Sequence, residues 1–153
     1  MTNEIFFFIP GEPQGKARAK TVRLKNGFSH SYTPEKSVSY ENLVKLSFQD
    51  VAGPDFQPMT GLFRVDVIAF MAPPASKPKT WKVLALIESV IRPAKKPDWD
   101  NIGKIVCDAL NGIAYKDDSA IVDGRVRKYY SDRPRVEVRI IDITDFRDQW
   151  SRK

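Results

Sequence analysis

Two acidic stretches hold the residues best suited to chemistry in this chain: KKPDWDN at 95–101 and YKDDS at 115–119. The first sets Asp98 and Asp100 one residue apart behind two lysines and a proline; the second makes Asp117 and Asp118 adjacent. Carboxylates this close repel one another unless positive charge stands between them. One reading is local. Aspartates in the first turn of a helix stabilise it by about 0.3–1 kcal/mol through capping and the macrodipole, and Lys104 with Asp108 forms a surface i, i+4 pair. The other reading brings the acids together around a cation. With only oxygen donors on offer, the site would take Mg²⁺, or Mn²⁺ as a substitute, rather than zinc. Lys104, one turn below Asp100, would then stand beside a phosphate whose developing charge it could stabilise.

Other chemistries are poorly supplied. His30 is the only histidine and sits in the polar stretch NGFSHSYTP, read as an ordinary loop. Cys107 is the only cysteine, which excludes an internal disulfide and a cysteine-rich zinc site. The eight glycines are scattered as turn residues and form no phosphate-binding loop. Carboxylates and lysines must carry any reaction.

Placing those residues requires a framework. IFFFI at 5–9, ended by Pro10-Gly11, reads as a buried strand. A basic, glycine-punctuated loop or ribbon follows to about residue 32. A helix is expected from Thr33 as N-cap and Pro34 in its first turn, with Tyr40, Leu43, Val44, Phe48 and Val51 as its buried stripe. GLFRVDVIAFMAPP at 61–74 alternates as a second strand, with Val65, Val67, Ala69 and Met71 on one side. TWKVLALIESVI at 80–91 reads as a short amphipathic helix. In DWDNIGKIVCDALNGI the residues Trp99, Ile102, Val106, Ala109, Leu110 and Ile113 make a core face, with Cys107 on its shoulder. Asp100, Asn101, Lys104, Asp108 and Asn111 make the polar face, and Asn111-Gly112 supplies the left-handed end. Segments 119–130 and 135–143 are expected to form a hairpin around residues 131–134. The order β-α-β-(α)-α-β-β describes one α+β domain, a mixed sheet with helices packed against it. A helix of some 12 residues is ~18 Å long, so Asp118 reaches Asp100 only if the chain reverses after Gly112. The six residues from Asn111 span up to ~20 Å, which permits that return.

At 153 residues the chain suits one domain with a proper core. No run approaches the ~20 apolar residues that span a bilayer, and the apolar start lacks the basic and small-residue flanks of a signal peptide, so the expected setting is cytoplasmic. Lys and Arg number 25 against 19 acids, a net charge of +6, and the excess is clustered. Lys16, Arg18, Lys20, Arg23 and Lys25 follow one another without an acid, and a second basic stretch runs from Arg125 to Arg139. Such clusters suit a polyanion, since each neutralised phosphate releases counterions.

KPDWDNIGKIVCDALNG followed by YKDDSAIV resembles the signature of the RusA family of Holliday-junction resolvases, many of them carried by phages and prophages. IPGEPQGKARAK and YTPEKSVSYE resemble that family's opening, so the similarity covers nearly the whole chain. The resemblance implies a homodimeric, Mg²⁺-dependent endonuclease making paired nicks in four-way junction DNA, acting in a bacterial or phage-infected cytoplasm, with no organic cofactor and no membrane. It assigns Asp98, Asp100 and Asp118 to the metal and Lys104 to catalysis. Asn101, Asp108 and Asp117 become supporting residues. Lys16, Arg18, Lys20, Arg23, Lys25, Lys95 and Lys96 are expected on the DNA. The 80–91 helix, absent from compact relatives, is expected to extend the fold or a dimer surface. Trp99 stands where an aliphatic residue is more usual and is expected to pack into the core. Two other readings stay open: a non-catalytic DNA-binding recombination accessory, and a nuclease of broader taste for branched DNA.

Overall fold

Alternate side chains of the central strands turn inward, in rows of Phe7 and Ile9, Val65, Val67 and Ala69, and Val136, Val138 and Ile140, all buried. The structure, a computed structural model, describes residues 4–144. Its elements in chain order are β1 (Glu4–Pro10), β2 (Lys20–Arg23), β3 (Ser29–Tyr32), α1 (Glu35–Ala52), β4 (Phe63–Met71), α2 (Lys79–Leu86) and α3 (Trp99–Ala109). A 3-10 turn (Asp118–Ala120), β5 (Ile121–Tyr130) and β6 (Arg135–Asp142) complete them. The single mixed-sheet α+β domain agrees with the expected class and order.

The four-stranded sheet runs β1-β6-β4-β5, with β6 antiparallel to both β1 and β4 and β5 parallel to β4. The expected hairpin of the last two strands therefore does not form: β4 lies between them. Its five inward residues from Phe63 to Met71 are all buried, and the most apolar strand takes the central position. The four-residue link after Tyr130 crosses the end of β4, where the Ser131 amide donates to the Met71 carbonyl at 2.9 Å.

Helices α1 and α3 cover the inward face. Tyr40, Val44 and Phe48 of α1 are buried, and Phe48 meets Phe7 edge-on at 5.5 Å between ring centroids. Val51, expected in that stripe, is exposed, and Ala52 beside it packs on the core instead. Pro34 occupies the N-cap of α1, so Thr33 does not cap it. The second helix is shorter than expected and ends at Leu86, followed by Ser89 with φ +55°. Its Ala85 joins Met71 and Tyr130 in a satellite core with Trp81 packed alongside. His30 belongs to β3 rather than to a loop. Among the described residues no helix is long and apolar enough to cross a membrane.

On α3 the buried stripe is Ile102, Ile105, Val106 and Ala109, followed by Leu110. A mid-helix glycine costs about 1 kcal/mol relative to alanine, and Gly103 has a reason: a Cβ there would come within 2.9 Å of the Val126 side chain. The close approach fixes α3 against β5. After Gly112, at φ +73°, the chain turns back, and β5 returns along the helix.

Candidate active site

The site is organised along the polar side of α3. Asp98 occupies the N-cap in extended conformation, and its carbonyl accepts the Ile102 amide at 3.0 Å, but its carboxylate makes no capping bond. The capping expectation thus holds for the position and not for the side chain, which stays available. Trp99 does not anchor the core: it is 62% exposed. It stands at the first position of α3, about one turn ahead of the buried stripe that begins at Ile102.

Asp98 lies between two concavities. One of about 510 Å³ is lined by Ala94, Lys95, Lys96, Asp98, Trp99, Asp100 and Lys128. The other, of about 500 Å³, is lined by Gln14, Gly15, Lys16, Arg18, Lys96, Pro97, Asp98 and Asn101. The segment after β1 closes onto α3 here. Lys16 donates its amide to the Asn101 carbonyl at 2.9 Å, and a Cβ on Gly15 would meet Pro97 at 3.0 Å and Asn101 at 3.1 Å. Lys128 reaches in from β5 and donates to the Lys95 carbonyl. Burial and the neighbouring Lys95 push its ammonium below its ordinary value, while Asp98 pulls the other way.

At the far end of α3, Asp108 faces Lys104 at 3.4 Å and Lys16 at 3.6 Å, and Lys16 also pairs with Glu41. Burial disfavours the Lys16 ammonium, but Glu41 and then Asp108 outweigh it and raise its pKa. Asp118 is brought to the same place by its own backbone, whose amide donates to Asn111 Oδ1 at 2.8 Å. Burial first, then Asp108 and Asp117, raise the Asp118 carboxyl above its usual range, against the pull of Lys104. Asp117 is engaged elsewhere: it caps the 3-10 turn by accepting from the Ser119 amide at 3.2 Å, and the Ser119 hydroxyl and then that amide lower its pKa.

The acids therefore stand as two pairs, Asp98 with Asp100 and Asp108 with Asp118, and Lys104 lies between them along the helix. Asp100 and Asp108 are about 12 Å apart along the axis at 1.5 Å per residue. Among the described residues no three His, Cys, Asp or Glu side chains group closely enough to hold a metal. The donor chemistry nonetheless suits a hard cation: every candidate ligand is a carboxylate or amide oxygen, and Asp118 is held where like charge opposes its ionisation. Arg18, Lys20, Arg23 and Lys25 project along or beside the β2–β3 ribbon, with Lys20 and Arg23 exposed on it. Lys16 is tied into the site, and Arg18 lines the concavity beside Asp98 with it.

Lys128, Glu41 and Asn111 join the site without having been singled out for it. Asn111 was legible as a residue of the polar face, whereas Lys128 and Glu41 depend on how β5 and α1 pack. Cys107 is a half-buried thiol pushed up to about 11 by burial, and its carbonyl accepts from the Tyr115 hydroxyl at 2.8 Å. It is inert packing, as expected.

Comparison with known proteins places these features in context. The family described as Endodeoxyribonuclease RusA matches residues 10–141. A Bacillus subtilis (strain 168) protein with the name Uncharacterized protein YqaN is 38% identical over 141 residues, which cover 92% of this chain and 97% of that relative.

Proposed function

The chain belongs to the RusA endodeoxyribonuclease family, and from that premise we propose that it resolves Holliday junctions by paired, symmetric nicks, as a homodimer that requires Mg²⁺. The observation that carries this reading is the polar face of α3, where Lys104 stands between two pairs of aspartates and the first pair opens into lysine-lined grooves. Acids at a DNA-cutting site make sense only with a cation between them and the phosphate.

Asp98 and Asp100 would hold the ion, with Mn²⁺ as a substitute; Asp118, the third carboxylate of the proposed set, is held beside Asp108 and would have to swing toward Asp100 to join them. When bound, Mg²⁺ supplies charge neutralisation at the scissile phosphate and an acidified water. The protein's own side chains position the strand. Lys95, Lys96 and Lys128 bind phosphates on either side of Asp98, and Lys104 stabilises the charge that grows on the phosphate or its leaving oxygen. Asp108, itself paired with Lys16, draws the Lys104 ammonium to the polar side of the helix. A four-way junction has approximate two-fold symmetry, so matched cuts call for two active sites related by a C2 axis.

The test compares a mobile four-way junction with flaps, forks and linear duplex in Mg²⁺. Paired nicks that ligase can seal, restricted to the junction, are expected. Equal cutting of all branched substrates would replace resolution with a general branched-DNA nuclease, and binding without any cutting would leave an accessory protein.

A further inference from the structure

The ribbon β2–β3 packs on nothing: all eight of its strand residues are exposed. A two-stranded ribbon is marginal by itself in water, and this one is also amphipathic. Its register pairs Lys20 with Tyr32 and Val22 with His30 on one face, and Thr21 with Ser31 and Arg23 with Ser29 on the other. The Leu24 amide donates to the Phe28 carbonyl at 2.7 Å, which continues the first face to the tip. Val22, Leu24, Phe28 and Tyr32 are all exposed along that face, and Phe28, at 71%, is the most exposed of them. The tip is built. Gly27 takes φ +84°, its amide donates to the Leu24 carbonyl at 3.1 Å, and the Phe28 amide donates to Asn26 Oδ1 at 3.1 Å.

An apolar face on an otherwise solvated element marks an interaction surface. Its charge selects the partner: residues 13–34 hold Lys16, Arg18, Lys20, Arg23 and Lys25 and no acid. A purely cationic ribbon fits a polyanion, and the apolar surfaces of DNA are chiefly base faces, which a stacked duplex covers and a branch point uncovers. We infer that the ribbon is a branch-point wedge, in which Phe28 stacks on the base step at the crossover while Lys20, Arg23 and Lys25 hold the flanking phosphates. This rests on the junction reading above and adds the element that would select and open the branch.

The experiment places 2-aminopurine at the branch point of a four-way junction and records its fluorescence on binding in EDTA, beside cutting rates in Mg²⁺, for wild type, Phe28→Ala and Phe28→Tyr. Wild type should raise the fluorescence. Phe28→Ala should lose that rise and cut the fully paired junction about tenfold more slowly, while a junction with unpaired bases at the branch is cut at close to the wild-type rate. Phe28→Tyr should restore both readouts. A rise undiminished in Phe28→Ala overturns the wedge. So does weakened self-association of that variant in sedimentation with the rise intact, which would give the face to a second copy of the chain. Wild type that raises fluorescence yet cuts nothing would refute resolution and leave the wedge standing.

Discussion

At the N-terminal end of α3, Asp98 and Asp100 face open grooves among Lys95, Lys96 and Lys128, and among the described residues neither closes an ion pair within 4 Å. At the C-terminal end, Asp108 already holds Lys104 and Lys16, and Asp118 is pressed against Asp108. The same residue types meet two different fates. The first pair is surrounded by cations at a distance, so its charge is left for something that enters the groove. In the second pair Asp108 is met from within by Lys104 and Lys16, which draws Lys104 to that side of the helix. One end of the helix is arranged to receive a ligand, and the other to position the lysine that would act on it.

Three variants can break or sharpen that contrast. The largest effect is expected from Lys104→Met, which should slow junction cutting by about 100-fold while Mg²⁺ binding, followed by calorimetry, stays unchanged. A loss of metal binding instead would place Lys104 in the scaffold of the cation site rather than in the chemistry.

Next comes the cationic rim. Replacing Lys95, Lys96 and Lys128 together with Gln should weaken junction binding and reduce the slope of log K against log salt by up to about 3, close to 0.9 per phosphate contact. An unchanged slope would remove the N-terminal groove from the DNA path.

The smallest effect concerns Asp118. Its folded-state pKa is raised, so ionising it opposes folding. That penalty is present in full above the raised value and is relieved as pH falls through it toward the ordinary carboxylate value near 4. Metal-free Asp118→Asn should therefore melt about 1–2 °C above wild type at pH 7. The gap should close on acidification through that window. A variant melting below wild type at pH 7 would mean that attraction to Lys104 outweighs repulsion from Asp108.

Much of this arrangement was legible in the sequence because it is local. The period of α3 placed Lys104 and Asp108 on one side, and the i, i+4 spacing gave their pair before any tertiary contact was known. The alternation in β4 and β6 gave their inward rows. What failed was what depends on neighbours far along the chain. The hairpin of β5 and β6 was a sound local inference from a short polar link, but β4 competes for the same edge and is more apolar. Trp99 fitted the helical stripe by spacing, yet a stripe is buried only where a sheet lies beneath it. The convergence of Asp98, Asp100 and Asp118 was permitted by chain length, whereas the hydrogen bond from Asp118 to Asn111 holds the third acid beside Asp108. Lys128 could be found only once β5 was known to run back along α3.

The central claim is that the freely presented pair at the start of α3 is the seat of metal-dependent cutting. It is tested most directly by nicking of a four-way junction, with and without Mg²⁺, by wild type and Asp100→Asn. Wild type should cut only with the ion, and Asp100→Asn should bind the junction as well as wild type yet fail to cut it. Undiminished cutting by Asp100→Asn in Mg²⁺ would contradict the account.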